Sequence, residues 1–314
     1  MGRRVGIALV FVGLFLLFFA LLVRFYAYPR LQKAPLDQYS QPVAVGAGTY
    51  FNRAQLKEIP NAQLKNVRVV RGDVKAGSSS TAVWDSFIST VDLSDGGVIS
   101  AEQERAAFDR VDAMPKHCCG ENPPHQGLIF KFPFNVEKKD YPFWDLTAKQ
   151  AFPARFLGEE KLNGLAVYKF EQRFGGIKTD TVQISGEMAG EPGQATVNAN
   201  VIYSNVKTFW VEPRTGQIIK GSQDVDQVLQ TDAGKQVLTV ADVTLTYDDA
   251  TVRQFVSDAK DNVSQLNLLS VTLPVGGAVL GALLVLGGLV AASRRPGRRI
   301  ASAPPRESRE AGAI

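Results

Sequence analysis

Histidine and cysteine are nearly absent, with two of each in 314 residues, and all four stand between His117 and His125. That scarcity confines any serine–histidine–aspartate triad to His117 or His125, and neither has a recognisable nucleophile context. The cysteines are adjacent, Cys118 and Cys119, so the spaced pairs typical of structural zinc sites are missing. There is no glycine-rich phosphate loop, no H-E-x-x-H and no G-x-S-x-G. The expectation is a protein that is not an enzyme and needs no cofactor. Catalysis by two carboxylates distant in sequence is the route that motifs do not address.

Charge is missing from two long stretches. Val5 to Val23 gives nineteen uncharged residues and Leu268 to Ala292 gives twenty-five, and a bilayer core needs about twenty residues of helix. A cleavable signal peptide is the alternative for the first run, which follows Arg3 and Arg4. Its length and the want of an A-x-A site before Arg24, Phe25 and Tyr26 favour an uncleaved anchor. Arg294, Arg295, Arg298, Arg299, Arg306 and Arg309 follow the second run, and such flanks stay in the cytoplasm. The expected order is a cytoplasmic N-terminus (1–4), a span (5–23), an extracytoplasmic domain (24–265), a span (268–292) and a basic cytoplasmic tail (293–314). The protein then passes twice through the plasma membrane with both termini inside.

The net charge of +4 belongs to the flanks. Arg3, Arg4, Arg24 and the six tail arginines are nine of 35 basic residues, and Glu307 and Glu310 are two of 31 acids. What remains is 26 basic against 29 acidic residues, which gives no argument for nucleic acid as a partner.

Between the spans the chain reads as mainly β. Strand-like runs are Asn66 to Val70, Thr81 to Val91, Gly127 to Phe132, Leu165 to Phe174, Thr179 to Ser185, Asn198 to Val211, Gln217 to Ser222 and Lys235 to Thr246. Turn signals fall at Asp95-Gly96-Gly97, Gly175-Gly176, Gly190 to Gly193 and Glu212 to Gly216. These predict a large antiparallel, curved sheet flanked by one helix at each end. Pro29, Pro35 and Pro42 predict an extended leader after the first span. Ser100 to Phe108 predicts a short internal helix capped by Ser100. Val252, Phe255, Val256, Ala259, Val263 and Leu266 stand at helical spacing before the second span, where Pro274 permits a kink.

Candidate sites follow from residue types. The clustered His117, Cys118, Cys119 and His125 suit zinc or copper(I), free or differently paired thiols, or a vicinal disulfide. An oxidising compartment favours the Cys118–Cys119 disulfide with no metal. Asp109-Arg110 reads as an ion pair before it reads as an acid–base pair. Asp140, Tyr141, Pro142, Trp144 and Asp145 form an aromatic and acidic cluster, while Tyr168 with Phe170, and Phe209 with Trp210, are core candidates. If the sheet curls round an apolar cavity, Tyr141, Trp144, Tyr168, Phe170 and Trp210 are the ligand-binding candidates for a lipid. Gly277 and Gly281 form one G-x-x-x-G, which allows pairing with the first span or with a second copy as a homo-oligomer.

The chain resembles the porin PorA family, found mainly in actinobacteria. The residues that carry the likeness are Asp109-Arg110, Cys118-Cys119, Gly127 to Phe134, Asp140-Tyr141-Pro142 with Trp144-Asp145, Gly164 with Tyr168-Lys169-Phe170, and Trp210 to Gly216. The resemblance implies a cell-envelope protein and supplies no catalytic residues. The leading expectation is an anchored module that binds a lipid or other hydrophobic envelope component, and the alternative is a scaffold of an envelope complex. A porin or channel component comes third, because a transmembrane barrel would not carry two such apolar helices and neither span has a polar stripe.

Overall fold

The computed structural model describes residues 2–293, so the tail arginines lie outside the described residues. The described residues divide into two compact units: 2–28 with 268–293, and 29–267.

The smaller unit pairs two helices, α1 (Gly2–Leu22) and a helix near the C-terminal end, Leu273–Ser293. In lipid, helices pair by close backbone approach rather than by expelling water, and small residues permit it. A Cβ added at Gly13 would lie 2.6 Å from the Gly281 carbonyl oxygen, and one added at Gly288 would lie 2.6 Å from that of Gly6. One added at Gly277 would lie 3.4 Å from Ala20 Cβ. The glycines expected to mediate helix contact therefore meet the first span of the same chain. Replacing Gly281 with leucine is expected to separate the pair. The check is oxidative crosslinking of an Ala20→Cys, Gly277→Cys double variant, efficient within one chain and lost when Gly281→Leu is added.

The first helix passes through a π turn at Val23–Ala27 into Tyr28–Leu31 (α2), so helix continues beyond Pro29 before the irregular leader begins. A second π turn, Leu268–Thr272, lies immediately ahead of Pro274, where the missing proline N–H interrupts the regular ladder.

The larger unit is one antiparallel sheet of eleven strands: β1 (Tyr39–Ser40), β2 (Val43–Asn52), β3 (Lys57–Gly72), β4 (Thr81–Asp92), β5 (Val98–Asp109), β6 (Tyr141–Asp145), β7 (Gln150–Leu162), β8 (Leu165–Ser185), β9 (Thr196–Val211), β10 (Ile218–Thr231) and β11 (Gln236–Tyr247). Their order is β5-β4-β3-β2-β11-β10-β9-β8-β7-β6, with β1 added on β3. The sheet is therefore two meanders joined where β2 meets β11, with Ala44 opposite Tyr247 and Tyr50 opposite Ala241. It curls into a half-barrel, as the sequence pattern anticipated. β2 escapes that pattern because it is rich in small residues: a Cβ at Gly46 or Gly48 would collide with the β11 backbone. β6 and β7 are likewise additions, and β7 hides behind Pro153 and its Glu159-Glu160-Lys161 run.

Three local expectations are corrected. Ser100 to Phe108 is not a helix but part of β5, paired with β4 along its length. Glu104, Ala106 and Phe108 are buried at a period of two, so ladder pairing overrides the helical propensity of the Glu-rich run. Gly175-Gly176 does not end a strand; β8 runs through it with a register shift between Phe174 and Ile177, a bulge that glycine accommodates. Gly127 to Phe132 is no strand, retaining one parallel bridge from Leu128 to Phe143.

That last segment belongs to the 31-residue connection 110–140 between the two edge strands. Lys116 N–H donates to Ala107 O at 2.7 Å, and Asn122 and Arg105 exchange backbone bonds at 2.9 Å, which satisfies the β5 edge. Leu128 accepts from Trp144 N–H at 2.7 Å on β6, and Phe132 N–H donates to Gly216 O at 2.8 Å at the β9–β10 turn. Between these anchors the Phe132 ring is fully buried, within 6.0 Å of the rings of Tyr141, Phe143, Phe170 and Phe209. The inside of the curl is thus filled at this level by its own connection. α3 (Gly186–Ala189) turns the chain from β8 to β9. Outside, α4 (Asp249–Asn267) lays Val252, Phe255, Val256 and Ala259 against Leu165, Val167 and Ile219, the expected stripe. The helix ending at Ser293 is α5.

Candidate functional site

Alternate residues of a curled sheet face inward, and along part of the curl those residues are charged. β3 contributes Arg68, β5 Glu102 and Glu104, β6 Asp145, and β9 Tyr203, Asn205 and Lys207. Arg68 Nη2 donates to Glu104 Oε1 at 2.6 Å, and Lys207 Nζ pairs with Asp145 Oδ2 at 2.6 Å. Tyr203 donates to Asp145 at 3.2 Å and accepts from Asn205 Nδ2 at 2.7 Å. Burial, helped by the Asp145 charge, raises the Tyr203 hydroxyl far above its ordinary value.

The two glutamates of β5 diverge. Burial raises the Glu102 carboxyl, with the negative charges of Asp145 and Glu104 adding to it and Lys207 opposing. Burial pushes Glu104 the same way, but the hydrogen bond from His125 and the charge of Arg68 outweigh it and hold the carboxyl below its ordinary value. Neighbouring buried groups with opposed shifts mark a candidate functional surface.

Glu104 also receives the loop of the two histidines. His125 is fully buried, its Nε2 3.2 Å from Glu104 and its Nδ1 3.0 Å from Glu121. Glu121 further accepts the His125 backbone N–H at 2.7 Å and contacts His117 Nδ1 at 2.9 Å. His117 remains largely exposed, and Cys118 and Cys119 are bonded to each other on the exposed turn between the histidines. Among the described residues no group of three or more histidine, cysteine, aspartate or glutamate side chains is placed to hold a metal.

Opposed shifts predict a pH optimum. Glu102, raised, stabilises the fold as pH falls from neutral through its folded value. Glu104 and Glu121, lowered, contribute stability above the unfolded value near 4.5 that is lost as pH falls further. Between pH 7 and 3 these carboxyls are therefore expected to give the melting temperature a local maximum. Glu102→Gln should remove the rise and Glu104→Gln should blunt the fall, as thermal melts between pH 7 and 3 would show.

The aromatic candidates do not converge on one site. Tyr141 and Phe170 share the Phe132 cluster, 5.9 Å apart. Trp144 is buried against His125 at 5.0 Å, and Tyr168 packs on Phe156 at 5.5 Å. Trp210, next to inward Phe209, faces the other way. Its indole donates to Glu160 at 2.6 Å between Lys169 and Lys220. Asp109 pairs with Lys116 at 2.9 Å while Arg110 binds the Ala34 carbonyl at 2.7 Å, so the two serve separate structural contacts. Sequence reasoning missed the inward charges of β3, β5 and β9, whose only signal is a charged side chain in phase with buried neighbours.

A family model described as Porin PorA matches residues 5–290. This chain belongs to the PorA family. It is similar to a protein named Porin PorA from Corynebacterium amycolatum, 25% identical over 299 residues that cover 72% of this chain and 78% of the relative. A second Porin PorA, from Corynebacterium resistens, is 24% identical over 233 residues, covering 54% and 56%. Like its family name, the two apolar helices make this PorA-family chain a membrane protein.

Proposed function

We propose that this PorA-family protein is a plasma-membrane protein with both termini in the cytoplasm and the sheet domain outside, where it acts as an interaction scaffold of the cell envelope. The arginines after the second span support the topology. The observation that carries the role is the Phe132 plug: the space in which a curled sheet would hold a hydrophobic ligand is occupied by the domain's own connection. A lipid or other hydrophobic occupant is the reading that this packing supports least, since Tyr141, Trp144, Tyr168, Phe170 and Trp210 are each committed to other contacts.

A second reading, a porin or channel component, has the relatives' names behind it. It also draws on the charged inner face of Arg68, Glu102, Glu104, Asp145 and Lys207, since rings of charge can line an ion path.

Both readings are tested on the full-length purified chain, by conductance in planar bilayers, by mass spectrometry of an organic extract, and by crosslinking in the native envelope. The scaffold predicts a silent bilayer, a clean extract and a reproducibly crosslinked envelope protein. Conductance steps abolished by Arg68→Gln with Lys207→Gln would establish the channel instead. A stoichiometric lipid would restore the hydrophobic-ligand reading.

A further inference from the structure

The convex side of β3, β4 and β5 carries two adjacent cross-strand rows. Val69, Phe87 and Gln103 form one; Arg71, Asp85 and Arg105 form the next. Together they floor a groove of about 420 Å³, walled by Gly120 and Asn122 from the loop of the Cys118–Cys119 disulfide. A volume of that order suits a small organic ligand.

The floor is built rather than incidental. Arg105 Nη1 contacts both Asp85 oxygens at 2.9 and 2.8 Å, its Nη2 binds Asp73 at 2.7 Å, and its Nε donates to the Cys119 carbonyl at 3.0 Å. One side chain therefore fixes the floor, a neighbouring turn and the wall. These contacts employ Asp85 and leave Arg71, opposite it, without a hydrogen-bond or ion-pair partner among the described residues. Beside this free guanidinium, Phe87 is 50% exposed although it lies mid-strand with neighbours on both sides.

We propose that this groove binds an acidic saccharide. A sugar ring offers an apolar face to an aromatic side chain and a rim of hydroxyls to polar groups. Phe87 supplies the platform, with Gln103 and Asn122 within the same groove for the hydroxyls. Arg71 supplies the charge complement, because guanidinium and carboxylate pair through two parallel hydrogen bonds. A purely apolar occupant would cover the Asp85–Arg105 ladder and the free Arg71 without compensation.

The proposal deepens the scaffold reading by naming a partner chemistry. It is tested separately from the bilayer measurement, so either can fail alone. The full-length chain in detergent is titrated with methyl glucuronide and, as the uncharged counterpart, methyl glucoside, followed by saturation-transfer NMR. The glucuronide is expected to bind about tenfold more tightly, a difference of about 1.4 kcal/mol. Phe87→Ala should weaken both sugars about tenfold, as expected for loss of a stacking platform, whereas Arg71→Gln should erase only the preference for the acid. Arg71 is exposed and Phe87 half exposed, so both variants should stay folded, with at most a small drop in melting temperature for Phe87→Ala. No saturation transfer from either sugar, or transfer indifferent to Phe87→Ala, would overturn the proposal.

Discussion

Replacing Phe132 by alanine is expected to cost the sheet domain about 3–5 kcal/mol, the range for a fully buried aromatic ring whose neighbours cannot collapse into the space. Its neighbours are held from several directions: Tyr141 and Phe143 by β6, Phe170 by β8 and Phe209 by β9. The loss should exceed that of Phe87→Ala by several-fold, since Phe87 is half exposed. Chemical denaturation of the two variants beside the unaltered protein measures the contrast. Similar costs for the two would mean that the connection 110–140 does not hold the curl together.

Lys131→Met is expected to act in the opposite direction and stabilise the domain. Lys131 neighbours Phe132 in the chain and is buried, its Nζ without a hydrogen-bond partner among the described residues and 4.0 Å from the centre of the Phe134 ring. Burial lowers its pKa from 10.5 to about 7, with the Glu212 charge opposing. The folded state then binds fewer protons than the unfolded chain between those values, so stability rises with pH across that window. At about 1.4 kcal/mol per tenfold change in the ionisation constant, the penalty at neutral pH and below is at most about 5 kcal/mol. The similar volume of methionine should recover about 2–3 kcal/mol of it. Denaturation at pH 6.5 and pH 9.5 gives the check: a gain at the lower pH that shrinks at the higher. A loss at both would show that the amine makes a contact the fold depends on.

The parts of this architecture visible in the sequence were those with an uninterrupted pattern. Two apolar runs gave the helices, and Thr81 to Val91 and Asn198 to Val211 gave strands, because β-branched and aromatic residues mark them in phase. What stayed hidden has a physical cause in each instance. Gly46 and Gly48 make β2 look like a loop, yet they are needed where β11 approaches closely. Glu102, Gln103, Glu104 and Arg105 look helical, yet Glu104 faces inward to Arg68 and His125 while Arg105 faces outward to Asp85. Such a split depends on partners far away in the chain. Phe170 and Phe209 are buried core residues as expected, whereas Tyr168 and Trp210 are only partly buried, and no local pattern reveals that Phe132 packs between Phe170 and Phe209.

The seam between β2 and β11 also bears on the order of events during synthesis. Hairpins from β2 to β5 can form early because their contacts are local, whereas β2 gains its second neighbour only after some two hundred more residues have been made. Distant pairing of this kind is slow, since chain entropy is lost before the contacts repay it. Until then β2 offers an unsatisfied edge, ready to join any other extended chain nearby. A chain released before β11 would keep both meanders and lack what joins them, exposing β2 and β10 together.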